Sequence, residues 1–91
     1  MSIIHIKQQH ALGQEEIRHR VEKIANGLKK EYRINYAWKG DQLLFKRSGA
    51  SGFLGLGQGI VEVKIKLGLV LSPLKGKIEA AIKKNMVEEL S

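Results

Sequence analysis

Residues 60–67 read Ile60-Val61-Glu62-Val63-Lys64-Ile65-Lys66-Leu67, and apolar side chains alternate with charged ones along most of the segment. Successive side chains of a β-strand point to opposite faces, so this alternation predicts a strand with one buried and one solvated face. Strands of this kind are typical of an antiparallel sheet that is covered on one side only.

Shorter segments predict the other strands. Ile4 and Ile6 alternate with polar neighbours, and residues 34–38 and 43–47 flank the turn Lys39-Gly40-Asp41 as a hairpin would. Phe53 and Leu54 lie between two Gly-rich segments and could add one further short strand.

Two segments have the spacing of amphipathic helices. The first begins at Gln14 and ends near Tyr32, with an apolar stripe of Ile17, Val21, Ile24, Ala25 and Leu28. The second begins with Ser72 as N-cap and Pro73 at the first helical position. Its apolar stripe is Leu74, Ile78, Ala81, Ile82, Met86 and Leu90.

Together these elements predict a single α+β domain over residues 1–91. The predicted order is β-α-β-β-β-α, or β-α-β-β-β-β-α if Phe53 and Leu54 form the extra short strand. The predicted fold is one curved antiparallel sheet with both helices on its apolar face.

Composition excludes several classes of protein. The 91 residues contain no cysteine, which removes disulfides, thiolate metal sites and thiol nucleophiles. The longest apolar run, residues 67–71, is far shorter than a membrane span, and the N-terminus lacks the pattern of a signal peptide. We therefore expect a cytoplasmic protein, and its net charge of +7 favours an anionic partner.

The residues that carry most enzyme chemistry are few and scattered. The histidines are His5, His10 and His19, and Asp41 is the only aspartate. The adjacent pairs Glu15–Glu16 and Glu88–Glu89 diverge around their helices, so they cannot converge on a substrate. We expect no catalytic residue, no metal and no cofactor.

The Gly-rich segment Gly49–Gly59 does not match a phosphate-binding loop, since a strand rather than a helix follows it. We interpret it as turns together with a bulge, or a closely packed strand whose side chains would collide with an overlying helix.

Residues 67–77 are unusually apolar for a connection between a strand and a helix. One interpretation, favoured for so small a domain, packs Leu69, Leu71 and Leu74 under the edge of the sheet. The other makes the segment a binding surface, and a homodimer would satisfy both. The candidate partner-binding residues are Leu69, Val70, Leu71, Leu74, Lys75 and Lys77.

The chain resembles the polyhydroxyalkanoic acid system proteins, which are also called polyhydroxyalkanoate granule region proteins. The likeness rests on motifs in order along nearly the whole chain: Ile3-Ile4-His5-Ile6-Lys7, His10-Ala11-Leu12, Trp38-Lys39-Gly40-Asp41, Phe45-Lys46-Arg47-Ser48-Gly49, Ser51-Gly52, Lys66-Leu67-Gly68 and Leu71-Ser72-Pro73-Leu74-Lys75-Gly76-Lys77-Ile78. Residues 53–59 depart from it, being more apolar and Gly-rich than the polar turn expected there. The arrangement also looks like a shortened helix-grip fold.

The resemblance implies a non-catalytic accessory protein of bacterial polyhydroxyalkanoate storage that binds the granule or a granule protein. Two alternatives remain open at this point. One is a small acyl-binding module with its site between sheet and helices, and the other is a basic regulator that binds nucleic acid.

Overall fold

The computed structural model describes residues 2–90. The elements in chain order are β1 (Ser2–Gln9), α1 (Gln14–Tyr32), β2 (Asn35–Lys39), β3 (Gln42–Arg47), β4 (Ala50–Gly57), β5 (Ile60–Leu67) and α2 (Lys75–Leu90). The five strands form one antiparallel sheet in the order β1-β5-β4-β3-β2. The predicted α+β class is confirmed, and so are the bounds of α1 and β5.

The alternation of β5 sets the two faces of the sheet. Val63 pairs with Ile6 of β1 on one side and with Leu54 of β4 on the other, and Leu54 in turn pairs with Leu43 of β3. All four side chains are buried in one hydrophobic cluster with the apolar stripes of α1 and α2. Both helices therefore cover the same side of the sheet, which we call the inner face.

The extra strand is longer than predicted. β4 has eight residues, as many as β5, although only Phe53, Leu54 and Leu56 supply it with large apolar side chains. Two-residue turns join β2 to β3, β3 to β4 and β4 to β5, and each contains a glycine with positive φ: Gly40, Gly49 and Gly59. Most L-residues avoid this conformation, which explains why glycines punctuate this part of the chain.

Gly52 has a different role inside β4. A Cβ atom at this position would lie 2.1 Å from the carbonyl oxygen of Lys64 and 2.7 Å from the Cα of Ile65. The predicted close packing is therefore real, but the partner is the backbone of the adjacent strand β5 and not a helix. Glycine is required because backbone atoms cannot move aside as a flexible side chain can.

The start of the second helix also differs from the sequence prediction. Ser72–Leu74 form a 3₁₀ turn and α2 begins at Lys75. The hydroxyl of Ser72 donates a hydrogen bond to the carbonyl of Gly68, so Ser72 does not act as an N-cap. Leu74 consequently precedes α2, and the buried stripe consists of Ile78, Ile82, Met86 and Leu90.

We predict that Gly52→Ala destabilises the protein by about 2 kcal/mol or more, because the added methyl group overlaps backbone atoms of β5. The free energy of unfolding in urea measures this effect. Gly27→Ala is the matched control. A Cβ atom there, inside α1, would meet nothing within 4 Å, so this change should stabilise the protein by roughly 1 kcal/mol. Equal effects of the two substitutions would contradict the close approach.

Candidate interaction surface

The connection between β5 and α2, residues 68–74, forms a loop that backbone hydrogen bonds hold in place. The N–H of Gly68 donates to the carbonyl of Gly49 over 2.8 Å, and the N–H groups of Leu71 and Ser72 donate to the carbonyl of Gly68. The Ser72 hydroxyl also accepts a hydrogen bond from Ser2 of β1. These contacts tie both ends of the loop to the sheet.

Two aliphatic side chains lie at the tip of this loop. Leu69 is 81% exposed and Val70 is 85% exposed, the largest exposures among the large hydrophobic residues that the structure describes. The prediction that Leu69 packs under the sheet edge is therefore wrong. We call Leu69 and Val70 the apolar tip.

The other four predicted partner-binding residues divide between the core and the surface. Leu71 is buried and joins the core cluster near Gly49, so its side chain contributes nothing to an exposed patch. Leu74 is 40% exposed in the 3₁₀ turn, Lys75 is half-buried and Lys77 is exposed on the first turn of α2. Only Leu71 thus packs as the buried interpretation predicted.

Cationic residues outside the predicted partner-binding set lie where the loop leaves β5. An open hollow of about 340 Å³ has Gly68 in its wall, and its other lining residues include Lys46, Arg47 and Lys66. The pairing of β3 with β4 and of β4 with β5 aligns Lys46, Ser51 and Lys66 in one row across the sheet, although β3 and β5 are separate in the sequence. The apolar tip therefore begins one residue beyond a cationic depression.

Arg47 is fixed by the end of α1. Its Nη1 donates to the carbonyl of Tyr32 over 2.6 Å, and its Nε donates to the carbonyl of Ser48. A guanidinium group near the C-terminus of a helix is favourable, because the last carbonyls there carry partial negative charge. Arg47 thus serves the fold as well as the charge of the hollow.

The histidines and Asp41 occupy separate places. His5 contacts Glu62 over 2.6 Å on the exposed face of the sheet, and Nδ1 of His10 accepts a hydrogen bond from the N–H of Leu12. Asp41 pairs with Arg18 over 3.7 Å. Among residues 2–90, no three His, Asp or Glu side chains lie close enough together to hold a metal ion.

A second polar cluster connects α1 to β2. The guanidinium of Arg18 lies 4.1 Å from the centre of the Trp38 ring, and the Trp38 indole donates to Glu22 over 3.2 Å. Arg18 also donates to the carbonyl of Gly40. These contacts fix the edge strand β2 under the helix, which is a structural role.

The family model for the polyhydroxyalkanoic acid system proteins (PHA_gran_rgn) matches residues 4–90. The chain therefore belongs to that family, as the sequence motifs suggested. Neither the curated proteins nor the solved structures gave a match. None of the helices in residues 2–90 is long and apolar enough to span a bilayer.

The contact between His5 and Glu62 predicts a pH dependence of stability. The hydrogen bond with His5, aided by the charge of Lys7, lowers the pKa of Glu62 below its ordinary value of 4.5. A carboxyl group whose pKa is lower in the folded state stabilises that state above its unfolded pKa. The contribution is lost as the pH falls through the folded value.

We therefore expect Glu62→Gln to flatten the decline in unfolding free energy between about pH 5 and pH 3. His5→Gln should flatten it in the same direction, because Glu62 then loses its partner. Urea unfolding at a series of pH values measures the slope. A wild-type slope in Glu62→Gln would show that this contact does not stabilise the fold.

Proposed function

We propose that this protein is a non-catalytic accessory protein of polyhydroxyalkanoate storage and that it attaches to the surface of the polyester granule. The family supplies the storage context. The observation that carries the proposal is the apolar tip, Leu69 and Val70, held out by a hydrogen-bonded loop beside a cationic hollow.

The chemistry of the tip suits an apolar surface with anionic groups at its margin. Burying one aliphatic side chain fully contributes about 1.5–3 kcal/mol, so the two residues together could supply about 3 kcal/mol or more. That energy lowers the dissociation constant by a factor of more than about one hundred. The anionic margin could then face the lysines near the tip. These are Lys46 and Lys66, which line the hollow, and Lys77, which follows the loop in α2.

The proposal includes the absence of catalysis. In its support, two of the ionisable side chains that could act as an acid or a base are engaged in local contacts at separate places: His5 contacts Glu62, and Asp41 pairs with Arg18. The space between sheet and helices holds the apolar side chains of the core cluster, which gives no support to an acyl site there. A granule-bound protein or a second copy of this chain could cover the same tip, and the test below separates these partners.

We predict that replacing the tip by Leu69→Ser and Val70→Ser lowers binding to purified, protein-stripped polyhydroxyalkanoate granules at least about tenfold, since most of the apolar contact is lost. Co-sedimentation with the granules measures binding. Val87→Ser is the matched control, because Val87 is an exposed apolar residue on α2, away from the loop. It should bind like the wild-type protein.

Circular dichroism of each variant shows whether the fold is kept. A folded tip variant that sediments with granules as the wild type does would overturn the proposal. Binding only to granules that keep their protein coat would assign the tip to a protein partner instead. A concentration-dependent dimer that the tip variant abolishes would assign it to a second copy of the chain.

A further inference from the structure

The face of the sheet opposite the helices is strongly basic. Every second strand residue points to it, and these positions include five exposed lysines. Three of the strands, β1, β2 and β3, supply one lysine each and β5 supplies two: Lys7, Lys39, Lys46, Lys64 and Lys66. Glu62 is the one acidic residue among the outward-facing strand positions, and it pairs with His5. We call this surface the outer face.

The centre of the outer face is apolar. Phe53 of β4 pairs with Leu44 of β3, which pairs with Ala37 of β2, so the three side chains form a row across the sheet. The Phe53 ring leans over Gly55, where a Cβ atom would lie 3.6 Å from it. Leu44 is 38% exposed, and Ile3 at the other edge is 51% exposed.

A shallow hollow of about 440 Å³ adjoins this row on the side of the lysines. It is lined by Ile3, Phe53, Lys64 and Lys66 together with Ser51 and Gly52. It shares Ser51 and Lys66 with the hollow that lies beside the apolar tip. The cationic depressions therefore continue from the tip onto the outer face.

The five lysines of the outer face favour an anionic binding partner. The apolar row at its centre favours a partner that also has an apolar part. A second copy of the same face would bring like charges together. Proteins that bind single-stranded nucleic acids stack the bases on several aromatic side chains. Among the strand residues that point to the outer face, Phe53 is the one Phe, Tyr or Trp, and its apolar neighbours Leu44 and Ile3 are aliphatic. A lipid layer accepts aliphatic side chains in any arrangement and attracts lysines through its phosphate groups.

We propose that the outer face docks on a layer of anionic phospholipid, with its lysines at the phosphate groups and the Phe53–Leu44 row against the acyl boundary. The apolar tip is not part of this surface, although Lys46 and Lys66 of the outer face also line the hollow beside the tip. The inference does not depend on granule attachment. The fit is that of a peripheral protein that lies on the layer.

The test is co-sedimentation with vesicles of phosphatidylglycerol and, separately, of phosphatidylcholine. Wild-type protein should bind the anionic vesicles, weaken steeply as salt is raised, and bind the zwitterionic vesicles far less. The triple variant Lys46→Gln, Lys64→Gln, Lys66→Gln should lose affinity on the order of one hundredfold, since each lysine near an anionic membrane contributes roughly fivefold.

The matched control removes three exposed lysines of the helices by Lys29→Gln, Lys30→Gln and Lys83→Gln. It has the same net charge as the sheet variant and should retain nearly wild-type affinity. Phe53→Ser should weaken the binding that remains at high salt, where lysine contributions are screened. Circular dichroism confirms that each variant is folded.

Four results would overturn the inference. They are no binding to anionic vesicles, an equal loss in both lysine variants, equal binding to both kinds of vesicle, and tighter binding to a single-stranded oligonucleotide than to anionic vesicles. Failure of vesicle binding with intact granule attachment would remove this inference alone. Granule binding by the tip variant, Leu69→Ser with Val70→Ser, tests only the proposed function, because this variant keeps every lysine of the outer face.

Discussion

The structure depends on the pairing of β5 with strands on both sides. β1 and β4 are far apart in the chain, yet each forms eight residue pairs with β5 in one register. Because side chains alternate along a strand, a slip of one residue on either side would move the apolar set of β5 to solvent and its lysines into the core. Burial of Val61, Val63, Ile65 and Leu67 against the helices therefore fixes both faces at once.

The same register produces the surface that we assign to binding. Once the inner face of β5 is committed to the core, Lys64 and Lys66 have to point outward. Pairing with β4 and β3 then places Lys46 in the same row as Lys66, with Ser51 between them. The cationic face is thus a geometric consequence of the fold and needs no dedicated loop. A small domain with a single core leaves one sheet face in water, where its chemistry is free to serve a partner.

The elements with strong periodicity could be predicted from sequence. α1 and β5 have the predicted bounds, because each carries an apolar set at the spacing of its own structure. β4 is longer than its sequence predicts, because Ser51, Gly52, Gly55 and Gly57 give it no alternating pattern of apolar and polar side chains. The requirement for glycine at position 52 arises from the backbone of β5. Local sequence also could not place Lys46, Arg47 and Gly68 around one hollow, because that arrangement depends on the pairing of three strands.

The apolar tip is exposed because the residues on both sides of it are held in place. Leu71 enters the core, and the hydrogen bonds to the Gly68 carbonyl close the chain into a turn before the 3₁₀ segment. Leu69 and Val70 lie between these two fixed points, where the chain is too short to reach the core. A tip constrained in this way loses little conformational entropy when a partner covers it, so more of its apolar contact energy remains available for binding. In the proposed attachment to granules, the hydrogen bonds that hold the loop would therefore also raise the affinity of the tip.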